Sequence, residues 1–153
     1  MKIFIDGSAG TTGLRIKDRL MKRSDVELTT LSEEQRKDTE SRKQALNSAQ
    51  VAFLCLPDAA AVEAVELVEN PDTVIIDTST AHRTSEGWAY GFPELSAEFE
   101  DKIKNSKRIA VPGCHAGGFI ALVYPLVEAG VLGNDALLSC YSLTGYSGGG
   151  KKM

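Results

Sequence analysis

The sequence predicts a doubly wound α/β fold, a parallel sheet with helices on both faces. Two observations carry this. Short β-branched runs recur along the 153 residues, and they are continuous in character, whereas a sheet with one wet face shows strict alternation. Amphipathic or alanine-rich stretches lie between them, and a strand, helix, strand succession returns each strand parallel to the last through right-handed crossovers.

KIFID (2–6) makes the first strand, and TTGLRIKDRLMKR (11–23), with Leu14, Ile16 and Leu20 set among basic residues, the first crossover helix. VELTTL (26–31) is the second strand. The charge-rich SEEQRKDTESRK (32–43) reads as a solvated loop running into a short helix. VAFLCL (51–56) is the third strand, followed by AAAVEAVELVEN (59–70), a helix that sets Val62, Val65 and Leu67 to one side. TVIIDTS (73–79) and RIAV (108–111) are the next two strands. HAGGFIALVYPLVEAG is helical by composition, bent at Pro125 and ended by Gly130, and LLSCYSL (137–143) reads as a last strand. The domain boundary is expected near Gly113: a dinucleotide-binding domain over 1–113, then a helix and the start of a second α+β domain over 114–153.

A net charge of −4 and the lack of a long Lys/Arg run argue against nucleic acid or an anionic membrane as partner. No apolar stretch after Met1-Lys2 suits a signal peptide or membrane span, so a cytoplasmic chain is expected, with a small molecule as its partner. The three cysteines, at 55, 114 and 140, are odd in number and lack CxxC spacing, so free thiols and no metal are expected.

The turn after the first strand, DGSAGTTG, spaces Gly7, Gly10 and Gly13 as G-x-x-G-x-x-G. Residues without side chains let a backbone approach a pyrophosphate, whose charge the next helix N-terminus stabilises. Gly7, Ser8, Gly10, Thr11, Thr12 and Gly13 are therefore cofactor-binding candidates, in the Rossmann-like context of a first βαβ unit. Past the second strand, Ser32, Arg36 and Lys37 bring a hydroxyl and two cations that suit a 2′-phosphate. Glu33, about twenty residues beyond the glycines, is where an acid would hold the ribose of NAD. The cations favour NADP (NADPH).

Cys114, in VPGCHAGGF (111–119), follows a strand at its carboxyl end, where open α/β sheets bind ligands, and opens a helix. Helix N-termini favour the thiolate, and Ala116, Gly117 and Gly118 leave room for a substrate and for backbone N–H groups facing an oxyanion. Cys114 is the candidate nucleophile. Cys55 and Cys140 sit inside apolar runs and read as small buried hydrophobes.

DGSAGTTG, DTSTAHR, WAYGFPEL, VPGCHAGGF and TGYSGGGKK occur in an order and spacing that resembles the N-acetyl-gamma-glutamyl-phosphate reductases, the shorter type in particular. The resemblance covers nearly the whole chain. Pro-Gly-Cys distinguishes it from the Asn-Cys-Thr nucleophile loop of the related aspartate-semialdehyde dehydrogenases. What it implies is NADPH-dependent reduction of N-acetyl-glutamyl 5-phosphate to the semialdehyde, through a thioester on Cys114, in arginine biosynthesis. It also implies that Arg83 handles the anionic substrate, and that Ser79 and the loop carrying Ser147, Gly148 and Gly149 line the cofactor. The family has its general acid/base histidine further downstream, in a second domain, and is expected to be a homo-oligomer in its full-length form. This chain therefore reads as the amino-terminal portion, a poor catalyst alone. His82 reads as a loop residue and His115 as an ordinary first-turn residue. The alternatives are a non-catalytic dinucleotide-binding module and a related aspartate-semialdehyde-type dehydrogenase.

Overall fold

A computed structural model describes residues 1–145 of the chain. Six strands form one all-parallel sheet in the order β2-β1-β3-β4-β6-β5. They are β1 (Lys2–Asp6), β2 (Glu27–Thr29), β3 (Val51–Leu54), β4 (Val74–Asp77), β5 (Ala89–Tyr90) and β6 (Arg108–Ala110). Among the described residues five α-helices connect them, none lying between β4 and β5: α1 (Thr11–Leu20), α2 (Thr39–Ser48), α3 (Asp58–Glu66), α4 (Ala97–Asn105) and α5 (Cys114–Glu128). The chain steps outward from β1 to β2 and then returns to β1's other side as β3. That reversal opens a crevice at the carboxyl ends of β1 and β3, where an open α/β sheet takes its ligand.

The core explains the strand choice. Phe4, Ala52 and Ile75 are paired across β1, β3 and β4 and buried, with Ala45, Leu46 and Ala49 of the α2 region and Ala64 of α3 packed into the same cluster. Fully burying a side chain such as Leu46 contributes about 1.5–3 kcal/mol. β1 is buried at residues 3 to 6 on both faces. β3 and β4 alternate between buried and half-buried residues, so the face that α2 and α3 cover is the drier one.

Asp6, Leu54, Asp77 and Ala110 are in register, so β1, β3, β4 and β6 end on one line. The residues just beyond it continue the ladder: Cys55 N–H donates to the Asp6 carbonyl (2.8 Å), Thr78 N–H to Leu54 (3.0 Å) and Val111 N–H to Asp77 (2.8 Å). This carboxyl edge carries every feature of the site.

Two expectations need correction. Residues 137–143 form no strand: Leu137, Tyr141 and Leu143 are exposed, and no described strand pairs with the run. An apolar composition states what a segment can bury, and a strand also needs a neighbour to take its backbone hydrogen bonds. For the same reason Cys140 is exposed instead of buried. The stretch 32–43 is largely exposed and runs into α2 as expected, and within it Arg42 turns inward to Asp6. The sequence reading also passed over α4, whose polar composition hides a helix capped by Ser96 and laced by Glu98–Lys102 and Glu100–Lys104 pairs.

Candidate active site

The glycine turn is built by close approach. Gly7 has φ +85°, and a Cβ there would lie 2.2 Å from the Cys55 carbonyl oxygen, so the β1 and β3 ends can meet only over a residue without a side chain. A Cβ on Gly13 would lie 2.5 Å from the Gly7 carbonyl oxygen. Gly10 is different: it is the N-cap of α1 at φ −80°, and its nearest neighbour would stand 3.6 Å away. No side chain caps α1 and no acid lies in its first turn, so the first N–H groups, from Thr11, Thr12 and Gly13, have no side-chain acceptor at the dipole's positive end. Ser8 is half-buried in the turn between them.

Beside this turn lies a cleft of about 200 Å³, lined by Asp6, Gly7, Glu33, Arg36, Lys37 and Leu56. Arg36 pairs there with Glu33. Ser32 is not among the lining residues; its hydroxyl accepts from Gln35 N–H (3.3 Å) and its own N–H donates to Gln35 Oε1 (3.1 Å), a reciprocal pair that braces the turn leading into the 3-10 helix Gln35–Lys37, which carries the two cations.

Under the cleft is an ion pair that the sequence reading missed. Asp6, 4% exposed, accepts from Arg42 Nε (3.1 Å) and Nη2 (3.0 Å), and Arg42 Nη1 donates to Glu63 (3.1 Å). Burial raises the Asp6 carboxyl above its ordinary range, with the Arg42 guanidinium the chief influence pulling it back. The pair ties β1 to α2 and α3 at the residue before Gly7.

A second buried carboxylate stands at the end of β4. Asp77, wholly buried, accepts from Ser79 N–H (2.9 Å), the Ser79 hydroxyl (2.6 Å) and His82 Nδ1 (2.7 Å). His82 lies in the turn after β4, as expected of a loop residue, but is itself 8% exposed and stacks on Trp88 at 4.1 Å. Ser79 is thus buried with its hydroxyl engaged by Asp77. A legible signal existed for both carboxylates: IFID and VIID each end an apolar strand on an acid, and a buried acid needs partners.

Cys114 is the first residue of α5 and is exposed. Its helix has no side-chain cap and no acid in the first turn. It borders a pocket of about 420 Å³ with Phe119, Leu122, Leu138 and Cys140, and His115 beside it engages the Ser142 hydroxyl. Arg83 does not point outward to solvent. Its Nε donates to the Val111 carbonyl (3.0 Å) and its Nη2 to the Thr78 carbonyl (3.4 Å). Cys55 is half-buried, and burial pushes its thiol up to about 11. Ser147, Gly148 and Gly149 lie outside the described residues. Among the described residues no cluster suits a metal, and no helix is long and apolar enough to cross a membrane.

Residues 2–105 match the family model described as "Semialdehyde dehydrogenase, NAD binding domain". The chain is 53% identical over 152 residues to an N-acetyl-gamma-glutamyl-phosphate reductase of Chelativorans sp., covering 99% of this chain and 49% of that one. It is 52% identical over 149 residues to N-acetyl-gamma-glutamyl-phosphate reductase 2 of Pseudomonas putida, covering 97% and 48%. The chain thus spans about half the length of the curated relatives it matches. Among solved structures it resembles aspartate semialdehyde dehydrogenase from Francisella tularensis at TM-score 0.61 and 17% identity, over 85% of this chain and 41% of that one.

Proposed function

Since this chain belongs to the semialdehyde dehydrogenase family, by a match to its NAD-binding domain over residues 2–105, we propose that it forms the cofactor and nucleophile portion of an NADPH-dependent N-acetyl-gamma-glutamyl-phosphate reductase. The substrate and the reaction come from the names of relatives about half identical to it. The single observation that carries the chemistry is an exposed Cys114 opening an uncapped helix at the same sheet edge as the glycine turn.

The residues suit the dinucleotide. Gly7 and Gly13 keep the turn free of side chains, the uncapped start of α1 meets a pyrophosphate, and Arg36 and Lys37 offer cations to a 2′-phosphate across the cleft. Asp6 and Arg42 hold the turn from beneath. The sulfur of Cys114 attacks the acyl-phosphate carbonyl; the carbon–sulfur bond forms, the carbon–oxygen bond to phosphate breaks, and inorganic phosphate leaves with that electron pair. The first N–H groups of α5 face the oxyanion that develops during attack. NADPH, when bound, supplies the hydride that takes the resulting thioester to the aldehyde level. The carbon–sulfur bond of the tetrahedral adduct then breaks, the electron pair returns to sulfur as the Cys114 thiolate, which regains a proton from solvent between turnovers, and the semialdehyde is released.

The whole protein is read as a cytoplasmic homo-oligomer acting in arginine biosynthesis on this small acyl phosphate, with neither nucleic acid nor membrane as partner. The direct test is phosphate release: N-acetyl-glutamyl 5-phosphate mixed with the chain gives a burst approaching one equivalent of inorganic phosphate, and Cys114→Ser abolishes it. A burst that survives Cys114→Ser defeats the assignment.

A further inference from the structure

We propose that Asp58 is a positioning residue for the nicotinamide half of the dinucleotide, acting through Thr80 on the loop that follows β4. The proposal rests on the reading of the glycine turn and the Arg36 cleft as a dinucleotide site.

The order of the strands gives the direction in which the cofactor lies. Along the carboxyl edge the sheet runs β2-β1-β3-β4-β6. Arg36 and Lys37 come after β2, the glycine turn after β1, and Cys114 after β6. A 2′-phosphate beside the two cations and a pyrophosphate at α1 leave the nicotinamide to cross the ends of β3 and β4, because its hydride has to reach a thioester on Cys114. The first turn of α3 and residues 78–80 stand at those two ends.

Three consecutive residues after β4 are each tied twice to one neighbour. Thr78 donates its N–H (3.0 Å) and its hydroxyl (3.0 Å) to the Leu54 carbonyl. Ser79 donates its N–H (2.9 Å) and its hydroxyl (2.6 Å) to the Asp77 carboxylate. Thr80 donates its N–H to Asp58 Oδ1 (2.8 Å) and its hydroxyl to Asp58 Oδ2. Leu54 and Asp77 belong to the sheet beneath the loop, whereas Asp58 opens α3, so the third tie joins the loop to a helix across 22 positions. Asp58 and Thr80 are both exposed, which puts this tie on the open side of the edge and not in the core.

Asp58 also sets α3 apart from its neighbours. The helices α1, α3 and α5 start at this edge, after β1, β3 and β6; α1 and α5 have no acid in the first turn, and α3 has Asp58. A carboxylate there answers the positive end of the helix dipole, so α3 offers a phosphate no place while α1 and α5 keep theirs. The bonds from the Thr80 hydroxyl and N–H hold the Asp58 carboxyl below the ordinary aspartate range, so it is ionised at neutral pH. Between two helix starts that attract anions lies one that repels them, and an uncharged reduced nicotinamide suits that stretch. The tied loop gives its ring a fixed surface.

The two halves of the cofactor can be tested apart. Adenosine 2′,5′-bisphosphate carries the 2′-phosphate end and lacks the nicotinamide, so a residue that positions the nicotinamide affects NADPH and spares the bisphosphate. Both ligands are titrated by calorimetry into the wild type, Asp58→Ala, Thr80→Val, Thr80→Ser and the Asp58→Ala/Thr80→Val double variant, with circular dichroism confirming the fold. Asp58→Ala should weaken NADPH roughly tenfold and Thr80→Val severalfold, the range of a lost hydrogen bond to a charged group, while the bisphosphate stays within about twofold of the wild type. Thr80→Ser keeps both donors and should match the wild type. The double variant should bind NADPH no more weakly than Asp58→Ala, since both substitutions remove the same contact. Unchanged NADPH binding, an equal loss for both ligands, additive losses, or a Thr80→Ser as weak as Thr80→Val each overturn the proposal. If Asp58→Ala does not fold, Thr80→Val decides, because it removes one hydroxyl from an exposed residue. A failure of the underlying reading is separately visible, as a wild type that binds neither ligand, and it takes the proposal with it.

Discussion

Replacing Arg42 by methionine isolates what the pair beneath the glycine turn contributes. Methionine fills much of the arginine stem's volume and removes both hydrogen bonds to Asp6, at 3.0 and 3.1 Å, along with the bond to Glu63. Asp6, 4% exposed, is left as a buried carboxylate without its cation. Breaking a buried pair from one side costs about 3–5 kcal/mol, a large part of the roughly 5–15 kcal/mol that holds a domain folded. Asp6→Asn should cost less at pH 7, because Arg42 keeps Glu63 as a half-exposed partner. The pH dependence has a definite sign. Burial already raises the Asp6 carboxyl, and Arg42 is the main opposing influence, so its loss raises the carboxyl further. The folded variant then binds a proton that the unfolded chain does not, from an ordinary aspartate value of about 3.9 up to the raised one. Stability conferred by that proton is present at low pH and lost as pH rises through the folded value. Urea unfolding of the wild type and Arg42→Met at pH 7 and pH 5 should show a gap that narrows on acidification. A gap under about 1 kcal/mol at pH 7, typical of exposed pairs, or one that widens at pH 5, refutes the buried-pair account.

Other expectations follow from the same geometry. Gly7→Ala should destabilise the chain by about 2 kcal/mol or more and abolish NADPH binding, since its φ is +85° and its Cβ would strike the Cys55 carbonyl, while Gly10→Ala should fold normally by thermal melt. Arg36→Ala should weaken NADPH binding in calorimetry while leaving NADH nearly unchanged, and added salt should shrink the wild-type preference. Cys55 should resist iodoacetamide at pH 8 and react appreciably only as pH approaches about 11, where its thiol ionises; rapid labelling at neutral pH contradicts its burial.

The sheet was legible because its signal is physical and local. Runs such as VAFL and VIID are apolar enough to demand burial and short enough to be strands, and the glycine turn announces where the first crossover begins. The helix start at Cys114 was legible from Pro-Gly before an apolar stretch. What could not be read depends on partners distant in sequence. Arg42 sits in a run that looks solvated, and only the fold shows that it meets Asp6 across 36 positions. Arg83 bonds Val111 across 28 positions, so its inward turn to the nucleophile loop had no sequence pattern to announce it. The 137–143 run shows the opposite error, a strand-like composition with no described strand beside it. A single histidine in a loop carries no pattern that announces its burial, although its partner Asp77 lies five residues away.

The central claim is that Cys114 forms a thioester with an acyl phosphate and that NADPH clears it. The chain is incubated with N-acetyl-glutamyl 5-phosphate, quenched in acid, digested and mapped by tandem mass spectrometry, with and without NADPH. The account predicts an N-acetyl-glutamyl mass addition on the peptide containing Cys114, with Cys55 and Cys140 unmodified and the adduct diminished when NADPH is present. An unmodified Cys114, or an adduct carried by Cys140 instead, contradicts it.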